Sequence, residues 1–257
     1  MSIHIEISDF QKLDVFTSLF QHLKQVCEHI NISFSEDQLY IQTMDNSRIS
    51  ILEVIIPNTW FSKYECDKAI TIGVCSSVIY KILNSRDKTQ LVGFQYSEAD
   101  DILKMFMTSE HKSVFDKHFE VPLVELEQEV MTIPEMEYQT EIGMPTATFA
   151  VLISQLKTFG DTLDILCNEN KIELVSKSTE SGKMSVEVSI DDLSSFSIEE
   201  NCEMNMSFSM SHLYMMCGNN KIAKEVEVKL KEESPIRIDY NYEEMQVHYY
   251  LAPKIGE

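Results

Sequence analysis

The spacing of apolar residues divides the chain into two kinds of segment. Between residues 10 and 30, apolar side chains recur at steps of three and four, which is the spacing of one helical face. Asp9 stands where this helix needs an N-cap. The same periodicity recurs at 76–86, at 145–159 and, more weakly, from Ser209 onwards. The pattern therefore predicts four amphipathic helices.

Much of the remaining sequence alternates apolar and polar residues with a period of two, which is typical of strands that bury one face. Turn-forming residues such as Asn168–Asn170 and Ser181-Gly182 separate these segments, and Gly218-Asn219-Asn220 ends the fourth helix. The mixture predicts an α+β fold. Its clearest predicted strands are 173–177, 185–190, 225–230 and 236–242.

The order of these elements repeats in the two halves of the chain. Helix residues match in pairs at a nearly constant shift, of 136 residues for the first pair of helices and 134 for the second. The pairs include Leu13 with Phe149, Phe16 with Leu152, Phe20 with Leu156, Ile79 with Leu213 and Ile82 with Met216. Residues 120–137 contain six Glu and no Lys or Arg. We therefore predict two similar domains, 1–120 and 138–257, joined by an extended connecting segment at 121–137.

The chain carries a net charge of −21, from 42 Asp and Glu against 21 Lys and Arg, but the acids avoid the helical segments. Taken as 10–30, 76–86, 145–160 and 209–224, these segments contain seven bases and two acids. One interpretation is that short helices happened to use Ser, Thr and Gln on their wet faces. We favour the other, that the helices face a polyanion such as the backbone of duplex DNA, contacted without reading its sequence. The predicted DNA-facing residues are Lys12, Lys24, Lys81, Arg86, Lys157, Lys221 and Lys224.

No motif of a catalytic, cofactor or metal site appears in the sequence. The seven Gly form neither GxGxxG nor a P-loop, and HExxH and GxSxG are absent. The six Cys show no CxxC and no metal-ligand spacing with the seven His, which fits reduced thiols in a nuclear or cytosolic compartment. Apolar runs such as 149–153 are far shorter than a membrane span, and the N-terminus lacks a secretion signal. We therefore expect a non-enzymatic protein with no cofactor, no metal and no membrane partner.

Five stretches of the sequence carry a resemblance to a known family. They are QTMDNSRISIL (42–52), KYECDKAITIGV (63–74), IPEMEY (133–138), KTFGDTL (157–163) and YYLAPKI (249–255). In this order they resemble the eukaryotic sliding clamp, the proliferating cell nuclear antigen (PCNA) family, over the whole chain. The resemblance implies an α+β clamp fold with two similar domains, each with two helices packed on antiparallel sheets. It also implies a head-to-tail trimeric ring whose helices line a hole around duplex DNA.

The function implied by the resemblance is that of a DNA sliding clamp, a processivity factor that tethers DNA polymerase and other replication and repair proteins. It further implies a homotrimer, an ATP-driven clamp loader as a partner, and a nuclear location, or a cytoplasmic replication site if the chain is viral. The alternatives are a subunit of a checkpoint-type hetero-trimeric clamp, a clamp relative that binds DNA as a monomer, and a protein-interaction scaffold without DNA contact.

The resemblance also assigns candidate contact residues. The family docks short client motifs with apolar anchors in a pocket under the connecting segment. The matching partner-binding positions here are Met44, Ile49, Ile51, Leu126, Met131, Ile133, Pro134, Pro235, Tyr250, Ala252 and Pro253. By the same analogy, strands near 110–118 and 183–189 pair edge to edge between subunits. Several pore positions that are basic in the family are not basic here, namely Leu13, Asp14, Phe20, Asn84, Val151, Ser154 and Ser211.

Overall fold

The computed structural model describes residues 2–99, 101–111, 113–127, 130–218 and 221–254. Parts of the sequence-based predictions lie outside the described residues, namely Lys112 in the predicted edge 110–118, Asn219-Asn220 at the end of the fourth helix, Gln128 and Glu129 in the connecting segment, and Ile255 in YYLAPKI. The chain forms two compact units. Unit 1 comprises Met1–Asn46, Leu52–Met131 and Tyr242–Val247. Unit 2 comprises Ser47–Ile51, Thr132–Asn241 and His248–Glu257.

Unit 1 combines two helices with two antiparallel sheets in its described residues. Its elements are β1 Ser2–Ile7, α1 Phe10–Val26, β2 His29–Phe34, β3 Gln38–Met44, β4 Ser50–Pro57, β5 Lys63–Cys66, β6 Ile70–Cys75, α2 Ser76–Asn84, β7 Leu91–Ser97, β8 Ile102–Thr108 and β9 Lys117–Pro122. One sheet has the strand order β5-β1-β7-β8-β9, and β4-β3-β2-β6 follow one another in the other. A short 3-10 helix, Asn58–Trp60, follows β4.

Unit 2 repeats this plan. Its elements are β10 Thr140–Pro145, α3 Thr146–Leu156, β11 Thr162–Asn168, β12 Lys171–Ser178, β13 Gly182–Val188, β14 Ser195–Ile198, β15 Met204–Ser209, α4 Met210–Met216, β16 Glu225–Leu230, β17 Ile236–Tyr242 and β18 Met245–Leu251. The strand orders are β14-β10-β16-β17-β18 and β13-β12-β11-β15. Here too a 3-10 helix, Ile190–Asp192, lies between the corresponding strands. Each strand and helix described in unit 1 thus has a counterpart in unit 2, as the sequence repeat predicts.

The helices bury the residues that the periodicity selected. In unit 1, the ring of Phe16 lies 5.1 Å from that of Phe20 and 5.7 Å from that of Phe94, measured between centroids. In unit 2, Ile153 and Leu156 of α3 are fully buried. Burying one such side chain stabilises the fold by about 1.5–3 kcal/mol. The apolar helix faces therefore hold the helices against the sheets and leave the polar faces exposed.

The first three predicted helices end earlier in the structure, with α2 ending at Asn84 rather than at residue 86 and α3 at Leu156 rather than at residue 159. α1 ends at Val26, and Cys27 is already extended (φ −149°, ψ 134°). The prediction of a helix to residue 30 is therefore wrong, because Ile30 belongs to β2 and pairs with Val74 of β6. The two-residue alternation of β2 coincides there with the continuing helical spacing. α4 ends at Met216, just before Gly218, where the sequence predicts its end, so Lys221 and Lys224 of the segment 209–224 lie beyond the helix.

The predicted strands agree closely with the structure. β16 and β17 have the predicted bounds, and β12 contains 173–177. The strand predicted at 185–190 ends earlier, because β13 stops at Val188 and Ile190 begins the 3-10 helix. Gly182 opens β13 with φ +83°, a conformation that glycine adopts without steric cost, which explains the turn predicted at this position.

Candidate nucleic-acid and partner interfaces

Helix α1 is positioned by its first turn. Asp9 caps it, since one carboxylate oxygen accepts from the N–H groups of Gln11 (2.8 Å) and Lys12 (3.0 Å), as the sequence predicts. Lys24 lies in the last turn, where the helix dipole favours a cation. Burial lowers the pKa of His22 to about 4, so this imidazole adds no charge near pH 7. The charge on α1 therefore comes from its lysines and its single aspartate.

Two of the seven predicted DNA-facing bases are engaged inside unit 1. The Nζ of Lys12 donates to the carbonyl oxygen of Trp60 at 2.9 Å and lies 3.0 Å from a carboxylate oxygen of Glu243. The side chain of Arg86 is only 7% exposed and forms an ion pair with Asp14. Both charges are therefore largely neutralised within the protein, which leaves little attraction for an external anion.

The other five bases are exposed. Lys24 and Lys81 lie in the last turns of α1 and α2, Lys157 follows α3 directly, and Lys221 and Lys224 lie between α4 and β16. Among the residues that the structure describes, none of the five has a carboxylate within ion-pair distance. Unit 1 therefore presents exposed positive charge in the last turns of its helices, and unit 2 presents it just beyond the ends of its helices.

Backbone hydrogen bonds fix the start of the connecting segment on unit 1. The N–H of Val124 donates to the carbonyl of Gly73 at 2.9 Å, and the side-chain amide of Asn31 donates to the carbonyl of Leu126 at 3.3 Å. A Cβ on Gly73 would lie 2.0 Å from the carbonyl oxygen of Val124. Only glycine therefore permits this approach, which places the predicted partner-binding residue Leu126.

Gln42 holds the connecting segment a second time. Its side-chain Nε2 donates to the carbonyl of Met131 at 2.9 Å, and its Oε1 accepts from the N–H of Met131 at 2.7 Å. The amide thus satisfies both backbone groups of one residue, as a neighbouring strand would. It fixes the backbone of Met131, whose side chain is 46% exposed, while the predicted Met44 lies half-buried at the end of β3.

The partner-binding residues predicted in unit 2 differ in exposure. Tyr250 in β18 is buried, whereas Ile49 is 40% exposed. The N–H of Ala252 donates to the carbonyl of Ile49 at 3.0 Å, and the N–H of Lys254 donates to the carbonyl of Ser207 at 2.7 Å. The segment after β18 is thus fixed by its backbone. Of the remaining predicted residues, Pro134 and Ala252 are exposed and Ile51, Ile133, Pro235 and Pro253 are half-buried.

A cluster of charged side chains lies beside Tyr250. The guanidinium carbon of Arg237 is 5.7 Å from the Tyr250 ring centroid. Asp239, with 1% side-chain exposure, accepts from Arg237 Nε and from His248 Nδ1, both at 2.7 Å. Burial alone would raise the pKa of Asp239, but the hydrogen bond from His248 and the Arg237 charge outweigh it and lower the pKa. The carboxylate therefore stays ionised and keeps Arg237 in place.

A metal-ligand cluster and a membrane-spanning helix are both absent from the described residues. Within the described ranges, no group of three or more His, Cys, Asp or Glu side chains is arranged to hold a metal ion. No helix in the same ranges has the length and apolar character needed to cross a membrane.

The sequence matches family profiles over both units. Residues 6–130 match the profile described as the proliferating cell nuclear antigen N-terminal domain, and residues 132–255 match that of its C-terminal domain. The chain belongs to the PCNA family. The family resemblance and the α+β clamp fold predicted from the sequence are thereby confirmed.

Relatives of similar length support the assignment. The chain is 25% identical to proliferating cell nuclear antigen 2 of Drosophila melanogaster (91% of this chain, 92% of the relative). It is 24% identical to the PCNA of Chaetomium thermophilum (96% and 97%) and 26% identical to PCNA 2 of Plasmodium falciparum (94% and 96%). The crystal structure of the PCNA of Entamoeba histolytica superposes with a TM-score of 0.87 at 23% identity, covering 98% of this chain and 99% of that chain.

Membership in the PCNA family makes the chain a sliding clamp, a processivity factor of DNA replication and repair. PCNA-type clamps are rings that bind DNA and polymerase clients, and the family consists of non-enzymatic scaffolds. The alternatives of a checkpoint-type subunit, a monomeric relative and a scaffold without DNA contact are not favoured.

One part of the alignment with the PCNA pore is wrong. Leu13 and Phe20, which the resemblance placed at pore positions, are 0% and 1% exposed and belong to the core of unit 1. Their helical spacing from Phe16 already assigned them to the buried face. Asp14 is exposed and is the partner of Arg86. The exposed cation of α1 lies instead near its end, at Lys24.

Gln42 and Gly73 were not among the predicted site residues, although the sequence carries a signal for Gly73. A glycine inside a strand often marks the close approach of another backbone, and Gly73 lies inside β6. Gln42 gives no comparable signal, because the alternation of β3 assigns Leu39 and Ile41 to the buried face and Gln42 to the opposite face.

Proposed function

We propose that three identical copies of this chain close into a ring around duplex DNA and tether a polymerase and other replication and repair proteins. We infer that an ATP-driven loader opens this ring, because a closed ring cannot thread onto circular DNA unaided. We propose that the protein acts in the nucleus and catalyses no reaction itself. The named relatives come from a fly, a fungus and a protozoan parasite, so a viral replication site is not part of the proposal.

Sheet edges in the two units support ring closure. In the described chain, β9 is one of the two edge strands of its sheet in unit 1, and β13 is one of the two edge strands of its sheet in unit 2. Under the internal repeat, β9 corresponds to β18 and β13 corresponds to β4. Ala252, just after β18, and Ile49, just before β4, are hydrogen-bonded at 3.0 Å in unit 2. This hydrogen bond joins the counterparts of β9 and β13 near their ends. We therefore expect β9 of one copy to pair in the same way with β13 of the next, because an unpaired edge readily accepts another strand.

An exposed aromatic residue marks the β9 edge. Phe115 is 84% exposed and precedes β9, which begins at Lys117, later than the predicted edge at 110–118. The other predicted edge, 183–189, is β13. A large exposed apolar side chain beside an unpaired edge is typical of a surface that becomes buried on association. We therefore expect Phe115 to be an anchor of the contact between subunits.

The exposed lysines support the DNA contact. We propose that Lys24, Lys81, Lys157, Lys221 and Lys224 face the phosphates, and that Lys12 and Arg86 act instead within unit 1. In a closed ring a few weak contacts suffice, since the ring itself prevents dissociation. The acidic remainder of the chain repels DNA from other surfaces.

The fixed connecting segment supports client docking. We propose that clients bind through apolar anchors to the residues assigned by the resemblance. Ile49 and Met131 offer exposed apolar surface, at 40% and 46% exposure. Apolar anchors in such sites usually contribute most of the binding free energy.

One observation carries the proposal: a PCNA-type fold in a chain of net charge −21 presents five exposed lysines, unpaired with any described carboxylate, on or next to its helices. The test combines two measurements. Light scattering should give a mass three times that of the 29.7-kDa chain, and Phe115→Glu should reduce it. With the loader and polymerase of the same organism and ATP, the protein should lengthen the products made on primed circular DNA.

Variants separate the parts of this proposal. The double variant Lys81→Glu, Lys157→Glu should reduce product length with the ring intact, because it places acids opposite phosphates. Ile133→Glu should remove polymerase stimulation and also spare the ring. Lys68→Glu is the matched control, since Lys68 is exposed between β5 and β6, outside the helical segments. An intact trimer without stimulation at any salt concentration would refute the processivity claim.

A further inference from the structure

Two of the exposed lysines lie over tyrosine rings, one pair in each unit. In unit 1, the Nζ of Lys24 is 4.0 Å from the centroid of the Tyr80 ring. In unit 2, the Nζ of Lys157 is 3.6 Å from the centroid of the Tyr214 ring. The negative face of an aromatic ring attracts a cation at this distance. Each pair connects the end of one helix to the middle of the next.

The tyrosines are equivalent positions of the internal repeat, but the lysines are not. Tyr80 and Tyr214 are related by the 134-residue shift, and each is the fifth residue of its helix. The 136-residue shift of the first helices places Lys24 on Gly160 rather than on Lys157. The same contact therefore forms in both units from lysines at different positions. This favours a role for the contact itself over a simple remnant of the duplication.

The tyrosine ring is the contact partner of each lysine ammonium group. In the part of the chain that the structure describes, neither Lys24 nor Lys157 pairs with a carboxylate, and both residues are exposed. Tyr214 is 44% exposed. Lys12 also lies over a ring, at 5.1 Å from Trp60, but it has Glu243 as an ion-pair partner. The Lys24 and Lys157 charges are thus oriented without being neutralised.

We propose that Tyr80 and Tyr214 are positioning residues for DNA contact, each holding the ammonium of Lys24 or Lys157 ready for a phosphate. This inference rests on the proposed function. A lysine side chain loses much rotamer freedom when it binds, so a side chain already held in place loses less. An ammonium has three N–H donors, and a ring face engages it from one side only. The remaining donors point away from the ring and bind phosphate oxygens. A clamp with few pore lysines thereby gains more DNA-binding free energy from each lysine.

The test compares ring removal with charge removal in the assembled protein. Binding of a fluorescent linear 30-base-pair duplex, which the ring can thread, is measured over a salt series. Lys24→Met with Lys157→Met should weaken binding and reduce the slope of affinity against salt, because phosphate contacts are lost. Tyr80→Leu with Tyr214→Leu should weaken binding about two- to fivefold for each contact removed, the range for one exposed cation–π contact. Tyr80→Phe with Tyr214→Phe should restore it, because the ring face is kept.

Two further readouts separate positioning from a structural role. Proton NMR should show ring-current shifts of the ε-methylene groups of Lys24 and Lys157 that disappear in the Leu variants. In double-mutant cycles, Tyr80→Leu should be non-additive with Lys24→Met and additive with Lys81→Met, since adjacent helix residues do not face each other. Light scattering confirms that each variant remains assembled.

Each outcome has a distinct meaning. If the lysine variants weaken DNA binding and the Leu variants do not, the positioning role is refuted and the proposed DNA contact stands. If the Phe variants bind as poorly as the Leu variants, the ring face is not the active feature and the inference is also refuted. If neither lysine nor tyrosine variants change DNA binding, the proposed DNA path fails as well.

Discussion

The two units build the same order of strands and helices from different core residues. Unit 1 packs α1 with aromatic side chains, such as Phe16, Phe20 and Trp60. Unit 2 has one buried aromatic residue in α3, Phe149, and its other buried apolar residues in α3 and α4 are aliphatic or sulfur-containing, with Leu156 and Met210 among them. The shared feature is the spacing of apolar positions, not their identity. The spacing of buried positions therefore determines the order of strands and helices, and side chains of different shapes fill the two cores.

The units also differ in how they use positive charge. In unit 1, Lys12 and Arg86 are bound by Glu243 and Asp14. The helical segments of unit 2 contain no acid at all. Two bases of unit 1 are thus bound within its own fold, whereas Lys157, Lys221 and Lys224 of unit 2 stay exposed. Asp14, the acid within α1, is one of the two carboxylates that make a base of unit 1 unavailable to DNA.

The largest effect on the free energy of unfolding is expected from truncating equivalent core side chains in the two units. Phe20 and Leu156 are equivalent in the repeat and are 1% and 0% exposed. Phe20→Ala should lower the free energy of unfolding by about 3–5 kcal/mol, and Leu156→Ala by about 2–5 kcal/mol, because each leaves a cavity. Hydrogen exchange should accelerate chiefly in the unit that carries the change. Phe20→Leu provides the control, with a smaller loss; equal acceleration in both units would contradict independent cores.

A smaller effect is expected from the charged cluster of unit 2. Asp239→Asn should destabilise the fold by about 3 kcal/mol at pH 7, because it leaves Arg237 without its buried carboxylate partner. The folded-state pKa of Asp239 is lowered, so its contribution is present above the ordinary Asp pKa of about 3.9 and is lost as pH falls through the lowered value. Denaturant titrations from pH 7 to pH 2 should show wild type and variant converging at the acid end. A difference that stays constant over this range would exclude the ionised carboxylate as its source.

The smallest effect is expected at the connecting segment. Unit 1 holds this segment through the Gln42 side chain, whereas unit 2 holds the segment after β18 through the backbone bond from Lys254 to Ser207. Gln42→Ala should therefore loosen only the segment of unit 1 and weaken binding of a client peptide about tenfold, the effect of losing about 1.4 kcal/mol. Calorimetry with the peptide measures this change.

A graded control accompanies this variant. Gln42→Glu keeps an acceptor for the N–H of Met131 but sets a second oxygen against the carbonyl of Met131 at a buried site, so its effect should exceed that of Gln42→Ala. Hydrogen exchange at Val124, Leu126 and Met131 should rise in the same order. Unchanged exchange together with weakened peptide binding would mean that Gln42 contacts the client directly rather than through the segment.

Most of the fold was predictable because local patterns determine it. The helices, the clearest strands and the internal repeat all follow from apolar spacing. Helix ends were less predictable: at Ile30 the helix and strand periods coincide, and only pairing with Val74 decides between them. Positions inferred from resemblance were less secure than positions inferred from spacing, as the burial of Leu13 and Phe20 shows.

The candidate interfaces were predictable only in part. Sequence separated bases from acids, but it could not show that Lys12 and Arg86 pair with Glu243 and Asp14, since these contacts join residues distant in sequence. The tyrosine contacts of Lys24 and Lys157 were hidden for the same reason. Their only sequence trace is the equal spacing of Tyr80 and Tyr214, which has meaning only once the lysines are seen beside the rings.

The duplication in this chain is incomplete in one respect: the helix-bearing fold occurs twice, but the connecting segment held by Gly73 and Gln42 occurs once. A closed assembly would consequently offer twice as many DNA-side modules as client sites. The ring would also have two chemically different faces, because all its chains would be arranged head to tail in the same direction. Enzymes bound to the ring would then all lie on the same face and point toward the same end of the primer. The ring would therefore have a defined orientation on the otherwise symmetrical DNA duplex.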